Sequence, residues 1–378
     1  MKKRIRAICA ALSVSFLFSS VSVQAEAKDA APRVSAESAV LIEADSGDVV
    51  FEVDARKKLP MASTTKIMTA LVALDSGGLD EPFPVPMEAV GVEGSSVYLT
   101  EGETVTLRDL LWALMLESAN DAATAIAYRV AGSVAKFADL MNDKAKRLEL
   151  YETHFTNPHG LDDPEHYTTA FDLAKLACAA LRDPEFEKIV STRSTVAFGE
   201  GSERTLVNHN RLLFSLNGAI GVKTGFTKRS GRCLVSAVRR DGVLTVAVTL
   251  NDPNDWSDHR TMHEYGQSLY QNFNLSEPGT IKVDLAVIGG TASRVRCSSC
   301  DTFSAVLKSG QKAKVTVEAP RFVAAPVRRG DALGKAVFTA GGKILGSVPL
   351  YAENDVVERR EKRTFFEKIL EFLGKATG

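Results

Sequence analysis

"LPMASTTKIMTA", residues 59–70, decides how the rest of the chain is read. It sets Ser63 three residues before Lys66, among small and apolar neighbours such as Met61, Ile67 and Met68. On a helix, residues three apart share a face. A hydroxyl and an amine side by side in apolar surroundings need a reason. Ser-x-x-Lys alone supplies none, because serine and threonine also cap helices and the tetrad is common. Its meaning depends on the rest of the chain.

Two further polar groups interrupt apolar patterns. "LESAND" (116–121) breaks the helical periodicity of 110–131 and carries Ser118 and Asn120. "GVKTGFT" (221–227) places Lys223, Thr224 and Gly225 on a strand pattern. Ser118 reads equally as a cap at a helix break, and Lys223 as a solvated strand lysine. Taken together, the three elements fall in one order on a predicted helix, loop and strand. Concurrence of that kind points to a catalytic constellation.

The surrounding sequence predicts the frame. "SAVLIEADSGDVVFEVDAR" (38–56) alternates around "DSGD" as a β-hairpin. Helical stretches follow, including 133–150 with Val134, Phe137, Leu140 and Met141 on one face, and 168–183. "GRCLVSAVRRDGVLTVAVTL" then reads as two antiparallel strands turning at 239–242. Strands flanking a block of helices predict an α+β domain over 34–275, an antiparallel sheet with helices against it. From "LSEPGT" onward the runs become short and alternating with Gly and Pro turns, predicting a small all-β domain over 276–355.

The ends differ from both domains. Lys2, Lys3, Arg4 and Arg6 precede an apolar run, and Val23 and Ala25 have signal-peptidase spacing, so 1–25 reads as a secretory signal. The run is short of the roughly twenty apolar residues a spanning helix needs. At the other end, residues 356–378 read as an amphipathic helix. Phe365, Phe366, Ile369, Leu370, Phe372 and Leu373 share one side, behind the bases Arg359, Arg360, Lys362 and Arg363. Such a helix lies in a membrane interface rather than crossing it. The formal net charge of -1 includes the signal-peptide bases, so the mature chain is mildly acidic, which argues against a nucleic-acid partner. Cys178 and Cys233 read as core residues. Cys297 and Cys300 form "CSSC", open to a local disulfide but short of the ligands zinc needs. His154, His159 and His209 match no zinc spacing, and no metal site is expected.

Ser-x-x-Lys, a Ser-x-Asn element and Lys-Thr-Gly in this order are shared by class A β-lactamases and penicillin-binding proteins. The chain resembles the low-molecular-mass penicillin-binding proteins, serine-type D-Ala-D-Ala carboxypeptidases, over nearly its whole length. "FTNPHGL" (155–161), "NHNRLL" (208–213) and "GFTKRSGRCLV" (225–235) also fit that family. One departure is Ile220-Gly221-Val222, which keeps the family's glycine before Lys-Thr-Gly and loses its acid.

The resemblance implies the penicillin-binding, transpeptidase-like fold and a set of roles. Ser63 would be the nucleophile, and Lys66 its base, made neutral by burial and a nearby Lys223. The backbone N–H groups of Ser63 and Phe226 would form the oxyanion hole. Ser118 would relay a proton to the leaving D-alanine, and Asn120 would bind the substrate amide. Gly225 would let a substrate strand approach. A carboxypeptidase must also recognise a free carboxylate, a task suited to arginine. The resemblance puts that arginine near Arg260, with Thr224 beside it. No cofactor is implied. The expected substrates are peptidoglycan stem peptides, with β-lactams as inhibitors. The expected location is the outer face of the cytoplasmic membrane, bound through the tail. A β-lactamase, a D,D-endopeptidase and a silent penicillin-binding sensor share these motifs.

Overall fold

The computed structural model describes residues 31–199 and 201–359. The expected signal peptide and nearly all of the expected tail helix lie outside the described residues. Two compact units divide between Gln271 and Asn272.

The larger unit is built on a five-stranded antiparallel sheet. Its strands are β1 (Ser38–Glu43), β2 (Asp48–Val53), β3 (Ala219–Thr227), β4 (Gly231–Arg240) and β5 (Val243–Leu250), in the spatial order β2-β1-β5-β4-β3. The hairpin and the 239–242 turn are where the alternation predicts them. Side chains alternate across a strand, so β1 feeds two cores. Val40 and Ile42 join the main core under the helical block, and Ala39 and Leu41 join a smaller one with Met262. β1 is therefore buried on both faces, and its sequence is apolar at both parities.

The helical block comprises α1 (Lys66–Ser76), α2 (Leu107–Leu116), α3 (Asn120–Ala131), α4 (Val134–Arg147), α5 (Ala170–Ala180) and α6 (Pro184–Ser191). A further helix, α7 (Asp255–Leu269), packs on β4, β5 and β1. Local chemistry fixes the starts. Thr106 and Asp109 make a reciprocal capping box on α2, and Asp183 caps α6 with Pro184 in its first turn. The buried stripe of α4 is Phe137, Ala138, Met141 and Ala145. Leu140, expected on that face, is exposed, because the stripe is turned toward residue 138.

The smaller unit carries a six-stranded sheet of β6 (Lys282–Ile288), β7 (Arg294–Ser299), β8 (Ala313–Glu318), β9 (Phe322–Ala324), β10 (Ala332–Ala340) and β11 (Lys343–Ala352). Within this sheet, among the described residues, only β6 and β9 pair in parallel. Its own core holds Val295, Phe338, Leu350 and Val356. Val356 exchanges two backbone hydrogen bonds with Val327, at 2.8 and 2.9 Å, and Arg359 N donates to Gly289 O at 2.7 Å. Residues 356–359 are thus bound into this domain, ahead of the remaining tail. Cys297 is buried and Cys300 exposed, and both are free thiols, so the local disulfide left open by "CSSC" is not formed.

Candidate active site

Ser63 does not lie on α1 itself. It sits in a 3-10 turn, Ala62–Thr65, that leads into the helix. Tighter winding eclipses residues three apart, which sets Ser63 directly over Lys66. Ala62, just before the serine, has φ +47°, a conformation that costs a non-glycine residue energy and recurs at functional sites. The turn is braced from below. Thr65 Oγ1 donates to Ala62 O at 2.8 Å and meets His166 Nε2 at 2.7 Å. His166 Nδ1 accepts from Thr156 N at 3.0 Å, so Nε2 carries the proton and donates to Thr65. Burial pushes His166 down to about 4 and keeps it neutral. Sequence reasoning missed this residue, because a single histidine among polar loop residues has no periodic signature.

Lys66 is fully buried and contacts three oxygens. Its Nζ lies 2.9 Å from Ser63 Oγ, 2.6 Å from Asn120 Oδ1 and 2.7 Å from the His159 carbonyl. The Asn120 amide is oriented by Nδ2 donating to Glu93 O at 2.6 Å. The His159 carbonyl is presented by the "NPHGL" loop, which Asn157 Oδ1 braces by accepting from Gly160 N at 2.7 Å. Gly160, at φ +88°, passes so close to the Ala62 carbonyl that a Cβ there would run into it.

Burial, and then the charge of Lys223, hold Lys66 well below the usual lysine range, with Asp121 opposing. Lys223, itself buried on β3, is pushed down to about 7 by burial, with Glu117 opposing. As an ammonium, Nζ donates to all three oxygens. When the amine is neutral it keeps two N–H donors, which go to Asn120 Oδ1 and the His159 carbonyl because these can only accept, and its lone pair then faces the hydroxyl of Ser63.

The Lys-Thr-Gly strand β3 is the edge of the sheet, so its free side can accept another strand. Gly225 faces the serine turn. A Cβ there would stand 3.1 Å from Ser63 N and 3.1 Å from Met61 O. Ser118 occupies the break between α2 and α3 with φ +60°. Ser63, Ser118, Thr224, Gly225 and Phe226 line one cleft of about 340 Å³. Arg211, Arg232 and Trp256 form another part of its wall.

The structure thus gathers Ser63, Lys66, Ser118, Asn120, Lys223, Thr224, Gly225 and Phe226 around one cleft. It does not bring Arg260 there. Arg260 lies on α7, its Nη2 donates to Ser215 O at 3.0 Å, and it is absent from the cleft wall. Its place along the helix is the reason: Asp255 and Trp256 open α7 at the cleft, and Arg260, four residues past Trp256, lies about 6 Å further along the axis. His209 lines the cleft with Nε2 3.1 Å from Glu117 Oε2. Among the described residues no group of three or more His, Cys, Asp or Glu side chains is placed to hold a metal ion.

A helical block on an antiparallel sheet, with a serine and a buried lysine in contact beside an edge strand, defines a serine acyl-transfer enzyme of the penicillin-binding fold. A family model for D-alanyl-D-alanine carboxypeptidases matches residues 24–254, and one for the penicillin-binding protein 5 C-terminal domain matches residues 270–358. The chain belongs to the serine-type D-alanyl-D-alanine carboxypeptidase family, within the penicillin-binding protein class. It is 31% identical to the D-alanyl-D-alanine carboxypeptidase DacF of Bacillus subtilis, over 85% of this chain and 86% of that protein. It is also 31% identical to the D-alanyl-D-alanine carboxypeptidase DacC of Escherichia coli, over 98% of this chain and 95% of that one. The crystal structure of penicillin binding protein 5 from Haemophilus influenzae matches with a TM-score of 0.64 at 26% identity, covering 87% of this chain and 99% of that one.

Proposed function

We propose that this carboxypeptidase removes the terminal D-alanine of peptidoglycan stem peptides through an acyl-enzyme on Ser63. The observation that carries the reading is the environment of Lys66, with two obligate acceptors and one hydroxyl around a buried amine. Substrate adds along the open side of β3, next to the bare Gly225. Lys66 takes the proton of Ser63, whose oxygen attacks the penultimate D-Ala carbonyl. The oxyanion forms between the N–H groups of Ser63 and Phe226, each such donor contributing on the order of a hundredfold in rate. Ser118 passes a proton to the departing amine, D-alanine leaves, and water hydrolyses the ester. A β-lactam presents a strained amide to the same serine and acylates it.

The test is release of D-alanine from an N-acylated peptide ending in D-Ala-D-Ala. Wild type releases it, Ser63→Ala does not, and release by Ser63→Ala at the wild-type rate overturns the reading.

The protein works, in this reading, on the outer face of the cytoplasmic membrane. The basic and apolar start of the chain supports export, and the aromatic stripe of the tail supports interfacial binding. Each base near an anionic surface adds about 1 kcal/mol. No helix among the described residues is long and apolar enough to cross a membrane.

A further inference from the structure

The loop 93–99 touches the site at one end and leaves a tyrosine in solvent at the other. Asn120 Nδ2 donates to Glu93 O at 2.6 Å, and Asn120 N donates to Ser95 O at 2.7 Å. A Cβ on Gly94 would come within 2.6 Å of Asn120 Nδ2. Ser95 lines the cleft. Three residues on, Tyr98 is 83% exposed and has φ +59°. We propose that Tyr98 binds the stem peptide upstream of the D-Ala-D-Ala pair and so sets a preference for long substrates over short ones. The inference rests on the Ser63 reading above.

Packing does not account for a tyrosine at this position. One exposed aromatic is ordinary on a protein surface. A bulky residue in the left-handed region is not, because it is strained there and glycine would relieve the strain. The backbone on both sides is clamped into that conformation. The buried Asp121 carboxylate accepts from Ser96 Oγ at 2.6 Å, Val97 N at 3.2 Å and Leu99 N at 3.1 Å. Ser96 Oγ in turn accepts from Tyr98 N at 2.9 Å. Arg204 Nε donates to Val97 O at 2.8 Å, and its guanidinium is itself held by both oxygens of Glu103. Val97 and Leu99 are buried, so the loop is anchored on either side of the exposed ring. A rigid, strained backbone that presents a ring to solvent fits a binding position, since a ring ordered in advance loses less entropy on contact.

The geometry of the substrate supplies the occupant. Ser95 shares the cleft wall with Thr224, Gly225 and Phe226 of β3, so a peptide laid along β3 passes the 93–99 loop. A carboxypeptidase leaves only one residue on the departing side of the scissile bond. Any longer stretch of substrate therefore lies upstream. Three residues of chain reach about 10 Å from Ser95 to Tyr98, and three residues of extended substrate reach as far. The ring is thus in range of the residues that precede the D-Ala-D-Ala pair. Its flat apolar face suits a peptide plane or the aliphatic part of a side chain, and its hydroxyl can pair with a peptide carbonyl.

The experiment compares N-acetyl-D-Ala-D-Ala with a pentapeptide that carries three residues ahead of D-Ala-D-Ala. Wild type has the higher kcat/KM on the pentapeptide. In Tyr98→Gly the ratio of the two kcat/KM values falls about 3- to 10-fold, mainly through KM for the pentapeptide. Tyr98→Phe keeps the ring and most of the ratio. Labelling of Ser63 by penicillin reports that each variant has an intact site. Thermal unfolding of Tyr98→Gly is unchanged or higher, because glycine adopts φ +59° without strain. No preference for the pentapeptide in wild type, an unchanged ratio in Tyr98→Gly, or equal losses on both substrates each overturn the assignment. So does a clear loss of stability in Tyr98→Gly, which would make the ring a packing group. Failure of the Ser63 reading looks different, because D-alanine release would then survive in Ser63→Ala.

Discussion

His263 of α7 is fully buried against the sheet, and it gives the sharpest stability prediction. Its Nε2 lies 2.7 Å from Ser236 Oγ and its Nδ1 2.9 Å from Thr245 Oγ1. Burial, aided by Arg240, pushes it down to about 3. In the unfolded chain a histidine titrates near 6.5. The folded value is the lower one, so the unfolded chain binds the extra proton between the two. Stability is therefore whole above about pH 6.5 and drains away as the pH falls toward 3. At pH 5 the gap from 6.5 is about 1.5 units, which is about 2 kcal/mol from this one imidazole. His263→Gln removes that loss. Its stability at pH 7.5 is lower than wild type, because Ser236 and Thr245 lose a matched partner. The change on going from pH 7.5 to 5 should be smaller than in wild type by about 2 kcal/mol. Urea unfolding at both pH values measures it. Both tryptophans, Trp112 and Trp256, lie in the larger unit, so their fluorescence follows that unit alone. Identical pH dependence in variant and wild type would refute the buried neutral assignment.

Replacing Lys223 by Met removes a positive charge that holds Lys66 down, so the acid limb of the penicillin acylation rate should move to higher pH. A stopped-flow pH profile reads it, and a limb that stays or moves lower contradicts the coupling. Gly225→Ala puts a methyl 3.1 Å from Ser63 N, so acylation should slow about tenfold or more with little loss of thermal stability. Unchanged acylation would mean that β3 can move away. A chain ended after Arg359 keeps Val356 in its core. It should keep its activity on soluble peptide and stop sedimenting with anionic liposomes. Full retention on the liposomes would remove the tail from membrane binding.

Much of the site could be read from the sequence because its parts are local. Ser63 and Lys66 lie in one turn, Ser118 and Asn120 bracket one break, and Lys223 to Gly225 are one strand segment. Each of these polar residues disturbs an apolar pattern, which makes it visible. The hairpin at 38–56 and the turn at 239–242 were legible for the same reason, since their signals span only a few residues. Contacts made by backbone atoms were not legible. The His159 carbonyl on Lys66 is such a contact, and nothing in "NPHGL" announces which oxygen faces inward. Asn120 is similar: its oxygen is on Lys66 in this structure, whereas the sequence suggests a role toward substrate only. Arg260 shows the limit of motif reasoning. The need for an arginine follows from the chemistry, but its position depends on how far along α7 it falls from the cleft. The hydroxyl and imidazole network of Ser236, Thr245, Thr249, His259 and His263 was invisible, because its members come from three separate elements.

The central claim is that Ser63 is acylated because a neutral Lys66 takes its proton. Mapping the penicilloyl adduct by mass spectrometry, in wild type and in Lys66→Ala at matched short times, tests it most directly. The account predicts an adduct on the peptide containing Ser63 in wild type and none on that peptide in Lys66→Ala. An adduct on any other residue, or undiminished labelling of Ser63 without Lys66, would contradict it.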